Sequence, residues 1–579
     1  MQKYQSEILF LILFIFMVNL NLKGTLYEDL SSLEKETVDQ AMAELKLEPV
    51  EDLKQKEIKG ILIYTESPFA KEKDILSRIG DSLHKNTTDG AIFESLNIKA
   101  GDLYDEDLIK DNEKNLRNKS IRSISVIVPV RKKGEFNENI YLLVVSRDIF
   151  SLRPSFSLEG SFLNIEDLYA SFGEYNLFGT ERALIADYHL SKATHAVGLN
   201  FIDPRILKSS WSLNLNPQII FSRQKVFGEG FYGRLELEKP LRFLNDTWGY
   251  DFSIAGGSRP KVPFKGFEVR IIKLPSGKTV ERRFHYANLS GRAIFTRSFG
   301  SIYKKEVFFG YGFDKKNPSI PKDLSLTDDE RSEFIKSVLP KKELLSFAII
   351  GFSYFHNRYL DLYDYDNFKT RELIRLGPEL SLSADLSPKI LLRGDDDFIS
   401  PSISLAFTKN LGLDSFINFK ISGSARFDGK WSDEMSSFKL LCAMPQISKI
   451  FRPVLSARFI DIKNNRNNQT FTLGSDNALR GVESSYLEGT TAVRGNLEFR
   501  SNSLKLLSIY AGAVLFYDIG SAFFDWHSAQ LVHNTGFGLR IFAPQLSATS
   551  LRLDLAFPLD PSSRAIHVLV PSFGAGQAF

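Results

Sequence analysis

The sequence predicts a transmembrane antiparallel β-barrel of about 16 strands preceded by a small α/β domain. Three observations predict it. Apolar and polar residues alternate with a period of two over roughly four hundred residues. Aromatic side chains are in excess, with 48 Phe and 20 Tyr, although hydrophobic residues reach only 43%. Beyond the N-terminus no apolar run approaches the about eighteen to twenty residues that a membrane-spanning helix needs.

The alternation is plain in Phe416–Ser424, where Ile417, Phe419 and Ile421 interleave with Asn418, Lys420 and Ser422. It recurs with Phe231, Leu235 and Leu237 against Tyr232, Arg234 and Glu236, and with Leu551, Leu553, Leu555 and Phe557 against Arg552 and Asp554. A soluble sandwich alternates in the same way. Number and uniformity favour the barrel, because roughly sixteen to nineteen segments of about ten residues match tilted membrane strands, the surplus being read as loop hairpins. Tight polar turns contrast with two long loops, Ser258–Tyr286 and Asp314–Leu344, the second with a short helix over Leu326–Val338. Short turns on one side and long loops on the other suit an outer-membrane barrel.

Ahead of the barrel, Lys3 precedes an apolar run from Ile8 to Val18, too short to span a bilayer. It reads as a signal peptide over 1–24, with an uncleaved anchor as the alternative. Residues 25–57 form a helix-prone and linker segment containing Ser32–Leu45. Residues 58–150 read as an α/β unit. Its elements are a strand over Ile58–Tyr64, a helix over Lys71–Leu83 and a second helix capped by Asp102 or Asp105, with Leu108, Ile109, Asn112 and Leu116 on one face. Strands over Arg122–Val130 and Asn139–Ser146 complete it, and the barrel takes 151–579.

Composition excludes several classes. A net charge of +3 does not argue for nucleic acid, and the single Cys442 can form neither an intramolecular disulfide nor a thiolate zinc cluster. None of the 8 histidines has a His-Glu-x-x-His spacing, and neither a phosphate loop nor a Gly-x-Ser-x-Gly elbow occurs. No enzyme activity, metal or cofactor is expected.

In order along the chain, Lys99–Arg117, Tyr175–Thr180 (YNLFGT), Phe201–Arg205 (FIDPR), Leu479–Val482 (LRGV), Gly495–Arg500 (GNLEFR), Phe516–Gly520 (FYDIG), Gly536–Arg540 (GFGLR) and Gly576–Phe579 stand out. Together they resemble the BamA/TamA superfamily of outer-membrane assembly and translocation barrels. The α/β unit resembles that family's periplasmic POTRA domain. Arg480 and Gly481 resemble its sixth-loop motif, which folds back into the lumen, although Val482 stands where the family usually has an aromatic residue. The final residues resemble a terminal strand ending in Phe579.

Alternation puts Arg494, Asn496, Glu498 and Arg500 on one face, opposite Val493, Leu497 and Phe499. With the apolar face in lipid, Glu498 points inward, and Leu515 and Tyr517 outward send Asp518 inward. Two inward carboxylates call for a cation, and the resemblance points to Arg480, whose fork can serve both; on the residues alone a solvated loop arginine beside Gly481 is the alternative. In the terminal strand, Pro571, Gly574 and Gly576 weaken pairing and mark a lateral seam; a mere barrel bend is the alternative. The sheet of the α/β unit could accept a client strand or act as a passive spacer.

The resemblance implies insertion or translocation of unfolded polypeptides in the outer membrane of a diderm bacterium. The N-terminal unit would lie in the periplasm, with lipoprotein or periplasmic accessory factors as possible partners. Alternatives are a two-partner secretion pore with one dedicated substrate, or a passive porin or surface antigen.

Overall fold

The computed structural model describes the chain from residue 27 onward, apart from 28–29, 51–52, 54, 70–79, 81, 83, 118–120, 136–139, 162–163, 224–227, 267, 370, 389–393, 449, 507–508, 547–548, 560–569 and 576. The apolar run of the signal peptide and nearly all of the helix expected over Lys71–Leu83 therefore lie outside the described residues.

From Leu152 to Ala575 the described strands close into one barrel. Twenty-two segments ring it, of which Arg358–Leu362 merely continues Glu343–His356 and Leu504–Leu506 continues Thr491–Ser501, so the wall is crossed twenty times. The sixteen or so crossings expected were too few because surplus alternating segments were assigned to loop hairpins. The actual loop hairpins are much shorter, such as Ile271–Lys273 with Thr279–Glu281. Strands such as Tyr303–Ser319 run well past the loop boundaries read from polarity.

Side chains sort by parity. Phe172, Leu199, Phe231, Ile254, Phe309, Ile350, Leu405, Ile421, Leu515 and Phe537 are exposed on the outer face. Residues of the opposite parity, such as Ser171, Glu498, Asp518 and Asp554, are buried inside. An exposed apolar belt around a polar interior is a wall between acyl chains and water. Near the end of the barrel that carries the α/β unit, Trp211, Trp248 and Tyr250 stack, with ring centroids 5.6 and 6.5 Å from that of Tyr250. Amphipathic rings of this kind sit at the level of lipid headgroups.

In the α/β unit, Arg122–Lys132 lies antiparallel to Ile140–Asp148, which pairs in parallel with Ile58–Glu66. The central strands are apolar on both faces, so each face needs a helix to cover it. Glu106–Arg117, with Asp105 accepting from the backbone N–H of Asp107 at 2.9 Å, covers one through Ile109 and Leu116. Ser32–Leu45 covers the other through Val38, Ala41 and Met42 against Val126, Val128 and Val145, and Leu47–Pro49 adds an edge strand. The segment read as a helical linker thus supplies half of this domain's core.

The unit docks beneath the barrel mouth mainly through charge. Arg122 and Arg205 both pair with Glu181 on the turn that follows Asn164–Leu177, and Arg205 also donates to Ser95 Oγ at 2.6 Å. Further round the rim, Arg371 pairs with Glu113 at 2.7 Å, and the Leu244 N–H donates to Asp111 at 2.6 Å. Burial opposes the charge on Arg371, but Glu113 and Asp361 more than compensate and raise its pKa above the usual arginine value.

Replacing Glu181 with Ala leaves two buried guanidiniums without their shared carboxylate, a loss of about 3–5 kcal/mol. The expected outcome is faster hydrogen exchange and proteolysis around Ile149–Leu152 with the barrel itself intact. Unchanged protection would show that docking does not depend on this contact.

Candidate functional site

The chain between Phe451–Lys463 and Thr491–Ser501 leaves the wall as a loop and turns back inside it. A short hairpin, Phe471–Leu473 with Leu487–Gly489, narrows the base of the loop, and Ser475 N–H donates to Val482 O at 3.0 Å. Leu479 and Val482 are buried with Leu473, Ala492 and Val532. These apolar anchors flank Arg480 and set it against the inner wall. Val482, noted as a departure from the aromatic of the resembled motif, therefore packs in a small apolar site. Among the described residues this is the eighth loop at the end away from the α/β unit, not the sixth. The difference follows from the additional crossings before it.

Arg480 is 1% exposed. Its Nε and Nη2 donate to the two oxygens of Asp518 at 2.7 and 2.8 Å, its backbone N–H donates to the same carboxylate at 3.2 Å, and Nη1 donates to Glu498 at 2.7 Å. One guanidinium thus serves both expected acids, bidentate on one of them. Three further groups join, none assigned a role from sequence. Asp554 accepts from Arg480 Nη1 at 3.4 Å and from Arg540 Nη1 at 2.6 Å, while Arg500 Nε donates to Glu498 at 2.7 Å. The Phe516 ring centroid lies 3.6 Å from the Arg480 guanidinium carbon. Three carboxylates and three guanidiniums balance formally, which is how so much charge tolerates burial. Burial opposes the Arg480 charge, but Asp518, Glu498 and Asp554 outweigh it and raise its pKa above the usual arginine value.

Glycine makes the fit possible at two points. Gly481 has φ +88°, and a Cβ there would lie 3.0 Å from Asn534 Oδ1. At Gly538 a Cβ would lie 1.9 Å from Asp554 Oδ1, so the bare backbone makes room for the Asp554–Arg540 pair. Parity along the strands already marks Phe516, Arg540 and Asp554 as inward-facing. What it lacks is their mutual distance.

The seam residues are placed differently. Pro571 lies opposite Leu555 and Gly574 opposite Arg552 in the last strand, Val570–Ala575. Gly576 is outside the described residues. Phe579 does not end a paired strand: among the described residues the last pairing is at Ala575, and residues 577–579 turn into the lumen. There the Phe579 ring lies 5.4 Å from the Arg500 guanidinium, beside Tyr365 and Val454, and Gln577 accepts from Arg540 Nε at 2.9 Å. An aromatic ring next to a buried cation gains more inside than at the rim. Among the described residues no group of His, Cys, Asp and Glu is placed to hold a metal ion.

No family model matches the chain, and no curated protein does. Among solved structures, the chain is similar to CdiB from Escherichia coli, with TM-score 0.40 and 11% identity over 92% of this chain and 80% of that one. It is similar to CdiB from Acinetobacter baumannii, with TM-score 0.38 and 12% identity over 94% and 81%. It is also similar to BamA from Haemophilus ducreyi lacking POTRA domains 1–3, with TM-score 0.32 and 11% identity over 90% and 85%.

Removing Arg480 or Glu498 alone, as Arg480→Ala or Glu498→Ala, should cost about 3–5 kcal/mol each by stranding buried charge. The double variant should lose clearly less than the sum, with a coupling of about 0.5–3 kcal/mol. Denaturant titrations of the detergent-folded barrel measure all three, and strict additivity would refute a shared pair.

Proposed function

We propose that the chain is an outer-membrane barrel of a diderm bacterium that inserts or translocates unfolded polypeptides, without nucleotide, metal or cofactor chemistry. One observation carries the reading: the loop arginine is locked to the inner wall of the last crossings, so the lumen holds a protein loop rather than an open channel. A passive porin needs the opposite. The order of motifs resembling the BamA/TamA superfamily agrees with it, and the α/β unit then stands in the periplasm as a POTRA-like domain, where accessory factors can dock.

The lateral seam belongs to the same proposal. Among the described residues the last strand, Val570–Ala575, pairs with its predecessor over six residue pairs and closes the ring against Leu152–Ser161. Pro571 removes one ladder donor. A seam weakened in this way can part and offer strand edges to a client. A pore dedicated to one secreted partner is the second reading, since a lumen charged along its walls suits a chain passing through as well as one leaving sideways.

Depletion separates the readings. Loss of many outer-membrane barrels fits insertion, loss of one exported protein fits a dedicated pore, and loss of solute uptake alone would refute both. For the seam, a cysteine pair joining Leu152–Ser161 to Val570–Ala575, in a Cys442→Ser background, should abolish activity when oxidised and restore it on reduction. Full activity in the locked barrel would sink the gate.

A further inference from the structure

Four cations stand in one row on the inner wall. Lys420 is the direct cross-strand partner of Lys439, Lys439 of Arg458, and Arg458 of Arg494. Cross-strand partners share a face, and Arg494 shares its face with Glu498, which meets Arg480 in the interior. All four therefore face the lumen, while Phe419, Ile421 and Phe438 are exposed on the outer wall. Like charges directly opposite each other destabilise a sheet, and here three consecutive pairs do so. The neighbouring row on the far-end side is neutral: Ser422, Ser437, Ile460 and Ala492.

Among the described residues Lys420, Lys439 and Arg458 have no hydrogen-bond or ion-pair partner, and each is exposed inside the barrel. Arg494 alone is engaged, donating to the Asn477 carbonyl of the inward loop. Beside that contact, Arg458 and Arg494 line a cavity of about 210 Å³ together with Thr470, Thr472 and Asn477. The strand Gly228–Lys239 is ten crossings from Thr491–Ser501 in either direction round the barrel; it carries Glu236, paired with Arg234 on the same face, and Glu238 inward, with Asp251 directly opposite Glu238 on the next strand. The lumen thus has a basic wall facing an acidic one, and such opposed charges set up a field across the passage.

We propose that this row is the contact surface for an acidic segment of an extended polypeptide inside the lumen. This rests on the polypeptide-handling function proposed above and names the chemistry of its substrate. Dimensions favour a chain over a small anion. Adjacent strands are about 4.8 Å apart, so the row spans about 14 Å, and side chains on one side of an extended peptide repeat every 6–7 Å or so. Three alternate acidic residues therefore cover the row. A small oxyanion needs donors that converge on one point, whereas these four project side by side from a wall. The acidic wall opposite turns the negative side of the segment toward the row.

The test uses the full chain in proteoliposomes, with a photo-cross-linking residue in place of Ser437, and a short peptide of alternating Asp and Ser. Peptides of alternating Lys and Ser and of Gln and Ser serve as comparisons. The acidic peptide should cross-link best, and Lys420→Gln/Lys439→Gln/Arg458→Gln should reduce its yield about tenfold, since three exposed ion contacts are each worth a few-fold. Removing mutual repulsion should leave the barrel at least as resistant to heat, which separates lost binding from lost folding. The comparison is repeated with Glu181→Ala, so that an obstructed mouth is not mistaken for an absent site. Equal yields for all three peptides, or an unchanged yield in the triple variant, would overturn the proposal. Suppression by inorganic phosphate at matched total charge would assign the row to small anions and overturn it as well. Depletion judges the parent reading separately: a barrel that exports or inserts polypeptides yet shows no acidic preference loses only this inference.

Discussion

One guanidinium organises the interior of this barrel. Arg480 arrives on a loop, yet its partners Glu498, Asp518 and Asp554 sit on three different wall strands. Buried charges are costly unless every lone pair and proton is engaged, and only a planar fork can satisfy several carboxylates at once. Arg500 and Arg540 balance the remaining charge and extend the network to Gln577 and Phe579 at the C-terminal side. Loop, wall and last residues are therefore one electrostatic unit, and the position of the loop fixes how much of the lumen stays open.

Both mouths are covered, by different physics. At one end the α/β unit is held by buried ion pairs through Glu181 and Glu113, a polar interface of the kind that allows domains to separate. At the other, the loops between Trp248–Lys261 and Glu343–His356 build a cap with its own apolar core of Leu274, Val280, Phe334 and Val338. Helix Asp328–Ser337, capped by Thr327 and Glu330, belongs to it. The cap is joined to the inward loop where Arg270 and Arg282 both pair with Glu488, at 2.9 and 2.8 Å. A shift of the cap would therefore pull on the segment that carries Arg480.

Much of this was legible in the residues. Period-two alternation fixes which side chains face lipid and which face the lumen, because successive side chains of a strand point to opposite sides whatever surrounds them. Glu498 and Asp518 were placed inside on that ground alone. Helix Glu106–Arg117 was visible through its cap and apolar face, signals that lie within one or two turns, and Asp328–Ser337 was expected as a short helix within a long loop. The apolar run in Arg122–Val130 marked a strand, but not that helices cover both faces of its sheet. That Ser32–Leu45 supplies the second cover could not be read locally, since Val126, Val128 and Val145, against which it packs, lie more than eighty residues away.

By itself, then, the sequence determined which residues share a face, since that follows from local periodicity, and the number and uniformity of its alternating segments pointed to a barrel. Only the tertiary structure decided that the wall is crossed twenty times, that Asp554 and Arg540 complete the arginine network and that Phe579 turns inward. It also decided that a row of cations stands opposite acidic strands. Each of these depends on which distant segments become neighbours when the ring closes, and closure is set by the sum of all the pairings rather than by any one of them.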